Sequence, residues 1–369
     1  MLWPFAPLVD SRESIQFRTD VVRPYSSEQR IRLTDVPRRF WSHNYRLSPN
    51  ELDRAYELIR QNAPDPFDLP DWQEAQRVTV LAADTAALID TTFSQYQAAG
   101  KAVIWQSSSE YSLLTIDAVA DGGLTFTTAI GADYTNARIM PVHRAYSPAG
   151  MSVTLEPTTY YAASMEWGIY AGVDLGVDPG YATYRSDPLI NEACAVGSGN
   201  FDGRMVRPAD TLDNQLGLPV FDTTTSAAIR SHGVAWVRTT PQGRFHLREL
   251  FGYLKGRQKA FWLPTFVPMK LTANRSGGAT TMQVQGIGAT SGDLFVRKTN
   301  GTEFGVRYTS ASGTDPQTLT LSGTLPSSVT TADYVCKLIR VRLDADRIEF
   351  AYPGNGLTRV QVPVIEVPA

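Results

Sequence analysis

The sequence carries a partial copy of itself. Phe67-Asp68-Leu69-Pro70-Asp71-Trp72 is answered by Phe261-Trp262-Leu263-Pro264-Thr265-Phe266, 194 residues on (261 minus 67), and an amphipathic stretch precedes each. Leu113-Leu114-Thr115-Ile116 meets Val306-Arg307-Tyr308-Thr309 at a spacing of 193 (306 minus 113). Leu124-Thr125-Phe126 meets Leu319-Thr320-Leu321 at 195 (319 minus 124). No match is specific alone, but their common order and near-constant spacing predict two similar β-rich modules, by duplication or by convergent packing. At 369 residues the chain also exceeds the roughly 100–200 residues that one domain usually organises.

Most of the chain reads as short strands. Residues 13–19, 30–33 and 151–155 alternate polar and apolar, the pattern of a half-buried antiparallel strand. Similar signals recur at 78–81, 102–105, 111–116, 234–239, 294–297, 304–309, 347–351 and 358–367, broken by Gly, Asn, Asp and Ser clusters. Two helices interrupt them. Ser48-Pro49-Asn50-Glu51 is a capping box with proline in the first turn, opening a helix near 49–61 that is lined by Leu52, Ala55, Tyr56 and Ile59. A second helix near 244–258 is lined by Phe245, Leu247, Leu250, Phe251 and Leu254, and Lys255-Gly256 suits its C-terminus.

The expected fold is therefore mainly β: two tandem antiparallel β-sandwich or barrel modules, each with one amphipathic helix, joined by a long irregular segment. The first module spans 1–171 with an N-terminal arm, and the second spans 218–369. Between them, 172–217 is rich in Gly, Asp, Pro and Asn and reads as a loop-rich insertion or an inter-subunit arm.

Composition narrows the function classes. Hydrophobic residues at 43% and charged residues at 19% exclude a largely disordered chain. A net charge of -3 gives no global footprint for nucleic acid, so no specific nucleic-acid binding is expected. The local cluster Arg30, Arg32, Arg38 and Arg39 reads as solvated or subunit-pairing arginines. Cys194 and Cys336 provide neither a disulfide framework nor a thiolate zinc site, which fits a reducing compartment. Met1 to Asp10 lacks a basic leader and a long apolar run and reads as an extended arm, and no apolar stretch is long enough for a membrane-spanning helix.

Residues that could carry chemistry are scattered. His43, His143, His232 and His246 are isolated, with no metal-ligand spacing, and read as structural. Gly286-Ile287-Gly288 lacks the following helix that a phosphate-cradling loop requires and reads as a turn. Asp174 and Asp178 have the residue types of a glycosidase pair but sit among turn formers. Tyr160, Tyr161, Trp167, Tyr170, Tyr181 and Tyr184 could make a sugar-stacking surface, a sheet core or a subunit interface. The expectation is a non-enzyme with no catalytic residues, cofactor or metal.

The runs Phe17-Arg18-Thr19-Asp20-Val21-Val22, Glu28-Gln29-Arg30-Ile31-Arg32-Leu33 and Pro37-Arg38-Arg39 resemble the opening of tail-tip structural proteins of long-tailed, siphovirus-like bacteriophages. Gly217-Leu218-Pro219-Val220-Phe221, the Phe261 to Thr265 run and Val341 to Phe350 follow the same pattern, and 172–217 follows it least. The resemblance is in the style of distal tail proteins. It implies a virion component of the tail tip, assembled in the bacterial host cytoplasm as a homo-oligomeric ring. Its implied partners are the tail tube, the tape measure, the tip hub and receptor-binding fibres. A hexamer is the favoured ring, and a trimer placing two modules per chain in six quasi-equivalent positions is the other closed form. Readings of other classes are a carbohydrate-binding receptor-recognition protein of the tail, a baseplate hub component and a virion depolymerase.

Overall fold

The protein is described from a computed structural model covering residues 1–22, 28–62, 65–156, 159–170, 176–192, 203–206, 210–212, 220–222, 229–354 and 356–367. It is mainly β, with two helices and a large antiparallel sheet. In the first half, β1 (Ser11–Gln16) precedes a hairpin of β2 (Thr19–Val22) and β3 (Gln29–Arg32). Then come β4 (Arg38–Leu47), α1 (Pro49–Asn62), β5 (Phe67–Pro70), β6 (Gln76–Val80), β7 (Ala86–Leu88), β8 (Lys101–Ser107), β9 (Glu110–Ala120) and β10 (Gly123–Phe126). The half ends with β11 (Tyr134–Tyr146), β12 (Met151–Leu155) and β13 (Tyr161–Ile169).

A small hairpin, β14 (Thr183–Tyr184) and β15 (Asp187–Pro188), leads to β16 (Gly203–Val206) and a further hairpin of β17 (Asp210–Leu212) and β18 (Val220–Asp222). The second half continues with β19 (Ile229–Arg238), α2 (Pro241–Leu254), β20 (Ala260–Pro264), β21 (Lys270–Leu271), β22 (Thr281–Gln285), β23 (Gly292–Arg297), β24 (Glu303–Ser312) and β25 (Gln317–Leu321). It closes with β26 (Tyr334–Leu343), β27 (Arg347–Gly354) and β28 (Leu357–Glu366). The segment 172–217 thus contains β14 to β17, and its remaining residues outside 176–192 lie beyond the described ones.

The two halves repeat one pairing scheme. β4 leads through α1 to β5, β5 pairs with β11, β11 with β13, and β13 with both β12 and β4. In parallel, β19 leads through α2 to β20, β20 pairs with β26, β26 with β28, and β28 with both β27 and β19. Each half also carries an inserted lobe, β8-β9-β10 on β11 and β23-β24-β25 on β26. All three sequence matches fall on corresponding strands: β5 and β20, β9 and β24, β10 and β25.

Local chemistry accounts for the helices. Ser48 N–H donates to Glu51 Oε2 at 3.0 Å while Glu51 N–H reaches Ser48 Oγ at 3.4 Å, the reciprocal capping box. In α2 the Thr240 hydroxyl accepts from Gly243 N–H at 3.0 Å, Pro241 opens the first turn, and Lys255 ends the helix in the left-handed region at φ 54°. α2 begins earlier than its apolar run because Pro241 to Gly243 form the capped first turn. Among the described residues the four largest apolar cores lie one under each helix-bearing sheet and one in each lobe, with smaller clusters around Trp262 and Met140.

The N-terminal arm is extended but not free. Trp3 and Phe5 are buried in the core of the first half, where Trp3 makes edge contacts with Tyr45, Phe67 and Trp167 at 5.2–5.9 Å. Trp3 N–H donates to the Asp68 carbonyl at 2.9 Å and so fixes the arm along β5.

Candidate functional site

The halves meet along β1, which pairs with β4 of the first half on one side and with β27 of the second on the other. This makes one continuous sheet in the order β12-β13-β4-β1-β27-β28-β19-β16. The hairpin β2–β3 then lies on the second half. Asp346 Oδ2 accepts from Thr19 N–H at 2.8 Å, the Arg30 guanidinium donates to the Gln258 carbonyl at 2.7 Å, and Arg342 pairs with Glu28 at 2.6 and 3.0 Å.

Under β1 sits a fully buried charge cluster assembled from both halves. Glu13 accepts from Arg39 of β4 at 2.6 and 3.1 Å, from Arg248 of α2 at 2.9 Å and from the Tyr352 hydroxyl at 2.5 Å. Arg248 also reaches Glu74 at 2.8 Å and Asp71 at 3.5 Å, while Gln95 donates twice to Glu74 at 2.8 Å. Burial alone would raise the Glu13 carboxyl, but Arg248 and Arg39 with the Tyr352 bond hold it well below the usual carboxylate range. Glu74 moves the other way: burial and the neighbouring Asp71 carboxylate push it up against Arg248 and the Gln95 bonds.

The pairing scheme allows the halves to be compared position by position. α1 and α2 are both 14 residues and both begin with Pro, so Tyr56 corresponds to Arg248 (192 apart, 241 minus 49). Val153 pairs with Ala163 as Phe350 pairs with Val360, which makes Leu155 the counterpart of Tyr352 (197 apart, 350 minus 153). Tyr146 opposite Gly168 corresponds to Arg342 opposite Ile365. The junction covers all three positions in the second half, where Arg248 is 0%, Tyr352 4% and Arg342 1% exposed. In the first half Tyr56 is 49%, Leu155 62% and Tyr146 43% exposed. Beside Tyr146 a cavity of about 700 Å³ opens, lined by Pro37, Phe40, Pro66, Ile169 and Tyr170 among others.

The residues singled out in the sequence disperse. Of the basic cluster, Arg39 is buried on Glu13, Arg30 lies against Glu28, Arg32 pairs with Asp35 at 2.5 Å, and Arg38 faces solvent. They form no common patch, because alternate residues of β4 point to opposite faces. Arg39 therefore pairs within one chain, with Glu13 and Gln95 of the same half, and Glu13 carries the contact on to Arg248 and Tyr352 of the other half. His43 and His143, far apart in sequence, both pack on Trp41 at 5.9 and 5.3 Å between ring centroids, and burial lowers each to about 4. His232 contacts Glu366 at 3.1 Å.

His246 lies in a surface pocket of about 480 Å³ with Glu192, Glu249 and Arg238. There the Tyr181 hydroxyl donates to Glu192 at 2.7 Å and meets His246 at 2.9 Å. Burial pushes Tyr181 up to about 12, so it serves as a neutral donor at neutral pH. The sequence signal for this group is faint, since its members come from three separate segments. Trp167 is core and Tyr161 is partly buried against the same core, while Tyr160 and Tyr170 are exposed at opposite ends of β13 and Tyr184 packs on Trp262 at 5.1 Å. The tyrosines thus make no single stacking surface. Asp178 caps its own turn by accepting from Gly180 N–H at 2.9 Å, and Asp174 lies outside the described residues. Gly286, at φ 88°, turns the chain from β22 toward β23. Cys336 is buried in β26, and Cys194 lies outside the described residues. Among the described residues no group of three His, Cys, Asp or Glu could hold a metal ion, and no helix is long and apolar enough to cross a membrane.

Compared with known proteins, the chain matches no protein-family model and no curated protein.

Proposed function

We propose that the chain is a structural virion protein that assembles into a ring at the distal end of a bacteriophage tail, joining the tail tube to the tip hub and the receptor-binding proteins. The observation that carries this reading is the one-sided junction. One chain contains two like halves, and the first half leaves bare the positions at which the second is covered. A head-to-tail interface of that kind generates rings when its rotation closes. It also covers strand edges that would otherwise invite aggregation. The tail-tip location rests on the resemblance of the residue 17–39, 217–221, 261–265 and 341–350 runs to distal tail proteins.

On this reading the protein acts through its interfaces and turns over no substrate. The test is labelling of tailed particles with an antibody raised against the purified chain. Label confined to the tip, at the end of the tube, is the expected result. Label on capsid or tube alone, or none on intact particles, overturns the assignment.

A further inference from the structure

The repeat extends to a strand that no sequence match reveals. Gly203, Arg204, Met205 and Val206 of β16 face His232, Ser231, Arg230 and Ile229 of β19. Glu13, Ser14, Ile15 and Gln16 of β1 face Trp41, Phe40, Arg39 and Arg38 of β4. The registers coincide residue for residue, with β16 190 residues after β1 (203 minus 13) and β19 191 after β4 (232 minus 41). Each strand is followed by a two-stranded hairpin, β2–β3 or β17–β18. β16 is therefore the β1 of the second half.

β1 has a second neighbour, β27, whereas among the described residues β16 pairs with β19 alone. The counterpart of β27 is β12, which pairs only with β13 among the described residues and lies at the opposite end of the same sheet. One end of the molecule thus presents a β1-like strand that lacks its β27. The other presents a β27-like strand that lacks its β1. These two vacancies are complementary between copies and not within one.

We propose that β16 of one copy pairs antiparallel along β12 of the next, reproducing between chains the junction that β1 makes within the chain. The occupant of the bare edge is a second copy, because the chain already contains the contact as a worked template. The inference rests on the self-assembly part of the reading above and is independent of where in a virion the assembly sits. The template fixes the register. Glu13 opposite Phe350 and Ser14 opposite Glu349 translate to Gly203 opposite Val153 and Arg204 opposite Ser152 of the next copy. Asp10 N–H donates to the Tyr352 carbonyl, so Tyr352 and, by alternation, Phe350 direct their backbone groups at β1. Their counterparts Leu155 and Val153 direct theirs at the free edge. The exposed Tyr56, Leu155 and Tyr146 then fall under the incoming copy, where Arg248, Tyr352 and Arg342 are covered within the chain. Both kinds of junction alternate around the ring, so a ring of six halves takes three copies.

Arg204 and Ser152 would form a non-hydrogen-bonded antiparallel pair with Cα atoms about 4.5 Å apart, within disulfide reach. Two differently tagged proteins, R204C and S152C, each in a C194S background, are mixed and oxidised. A covalent heterodimer on a non-reducing gel, with at least tenfold less from R204C mixed with S164C on the neighbouring strand β13, is the expected result. A ring that forms while the R204C and S152C mixture stays uncrosslinked overturns the pairing and leaves the self-assembly reading standing. A chain that remains monomeric and uncrosslinked at every concentration overturns both. In a second variant, V153P removes one N–H from the free edge and leaves the pairing with β13 intact. Rings that persist unchanged in V153P also overturn the proposal.

Discussion

The two halves share their strand pairings but not their surroundings. Arg248 on α2, Tyr352 on β27 and Arg342 on β26 are buried by β1, its hairpin and the turn after β5. Tyr56, Leu155 and Tyr146 hold the same places in the first half and face solvent. Two of the three buried positions at the internal junction are arginines paired with named carboxylates, while the bare positions are two tyrosines and a leucine and carry no charge. An internal contact can specify itself through charges that are always present together. A surface awaiting another copy gains more from apolar area, which stabilises on burial at about 25 cal/mol per Å² and leaves no unpaired charge when open.

The largest effect that breaks this comparison is expected at Glu13. Glu13→Ala strands two buried guanidiniums, and chemical denaturation should register a loss of about 3–5 kcal/mol. Arg39→Ala should cost a similar amount. Arg38→Ala, one residue away on the solvent face, should change stability by less than about 0.5 kcal/mol. Equal effects of the two arginine variants would contradict the inward placement of Arg39.

Acid should act next. His43 and His143 are held near 4, below the 6.5 of an exposed imidazole, so the unfolded chain binds more protons between those values. Their contribution is fully present above pH 6.5 and is lost as the pH falls toward 4, on the order of 3 kcal/mol for each histidine. Thermal melts across that window should fall steeply in the parent protein and less so in His143→Gln.

Glu74 has the opposite sign. Its folded-state value is raised, so its stabilisation is present below about 4.5 and declines as the pH rises through the folded value. Glu74→Gln should therefore match the parent in acid and exceed it at pH 7. A destabilised variant at pH 7 would show that Glu74 works as an anion in the junction. The smallest effect on the single chain is expected at Leu155: Leu155→Ser should shift its stability by less than about 0.5 kcal/mol while weakening self-association. Sedimentation velocity of parent and variant at matched concentrations checks it.

Both helices and eleven strands, among them β1, β6, β8, β9, β23, β24 and β28, were legible because their signals are local. The capping box and first-turn proline of α1, the apolar face and Lys255-Gly256 end of α2, and period-two alternation need only a few neighbouring residues. β4 was not legible because its inward row is Arg39, Trp41, His43, Tyr45 and Leu47, so two of the five core-facing positions look like surface. β11 escaped because its first part serves the lobe and its last part the sheet, with a register shift between Tyr134 and Ala137 that interrupts the alternation. The repeat was visible where Phe-x-Leu-Pro recurs. Its first strand was hidden, since Glu13-Ser14-Ile15 and Gly203-Arg204-Met205 share no pattern although they occupy the same place. The charge cluster joins residues from position 13 to position 352, and only the fold brings them together.

Native mass spectrometry of the purified chain over a range of concentrations, with images of the same sample, tests the central claim most directly. A closed ring in which first and second halves alternate, with three copies for six positions, is expected. A single chain that persists as a monomer throughout, with Tyr56, Leu155 and Tyr146 still open to solvent, would contradict it.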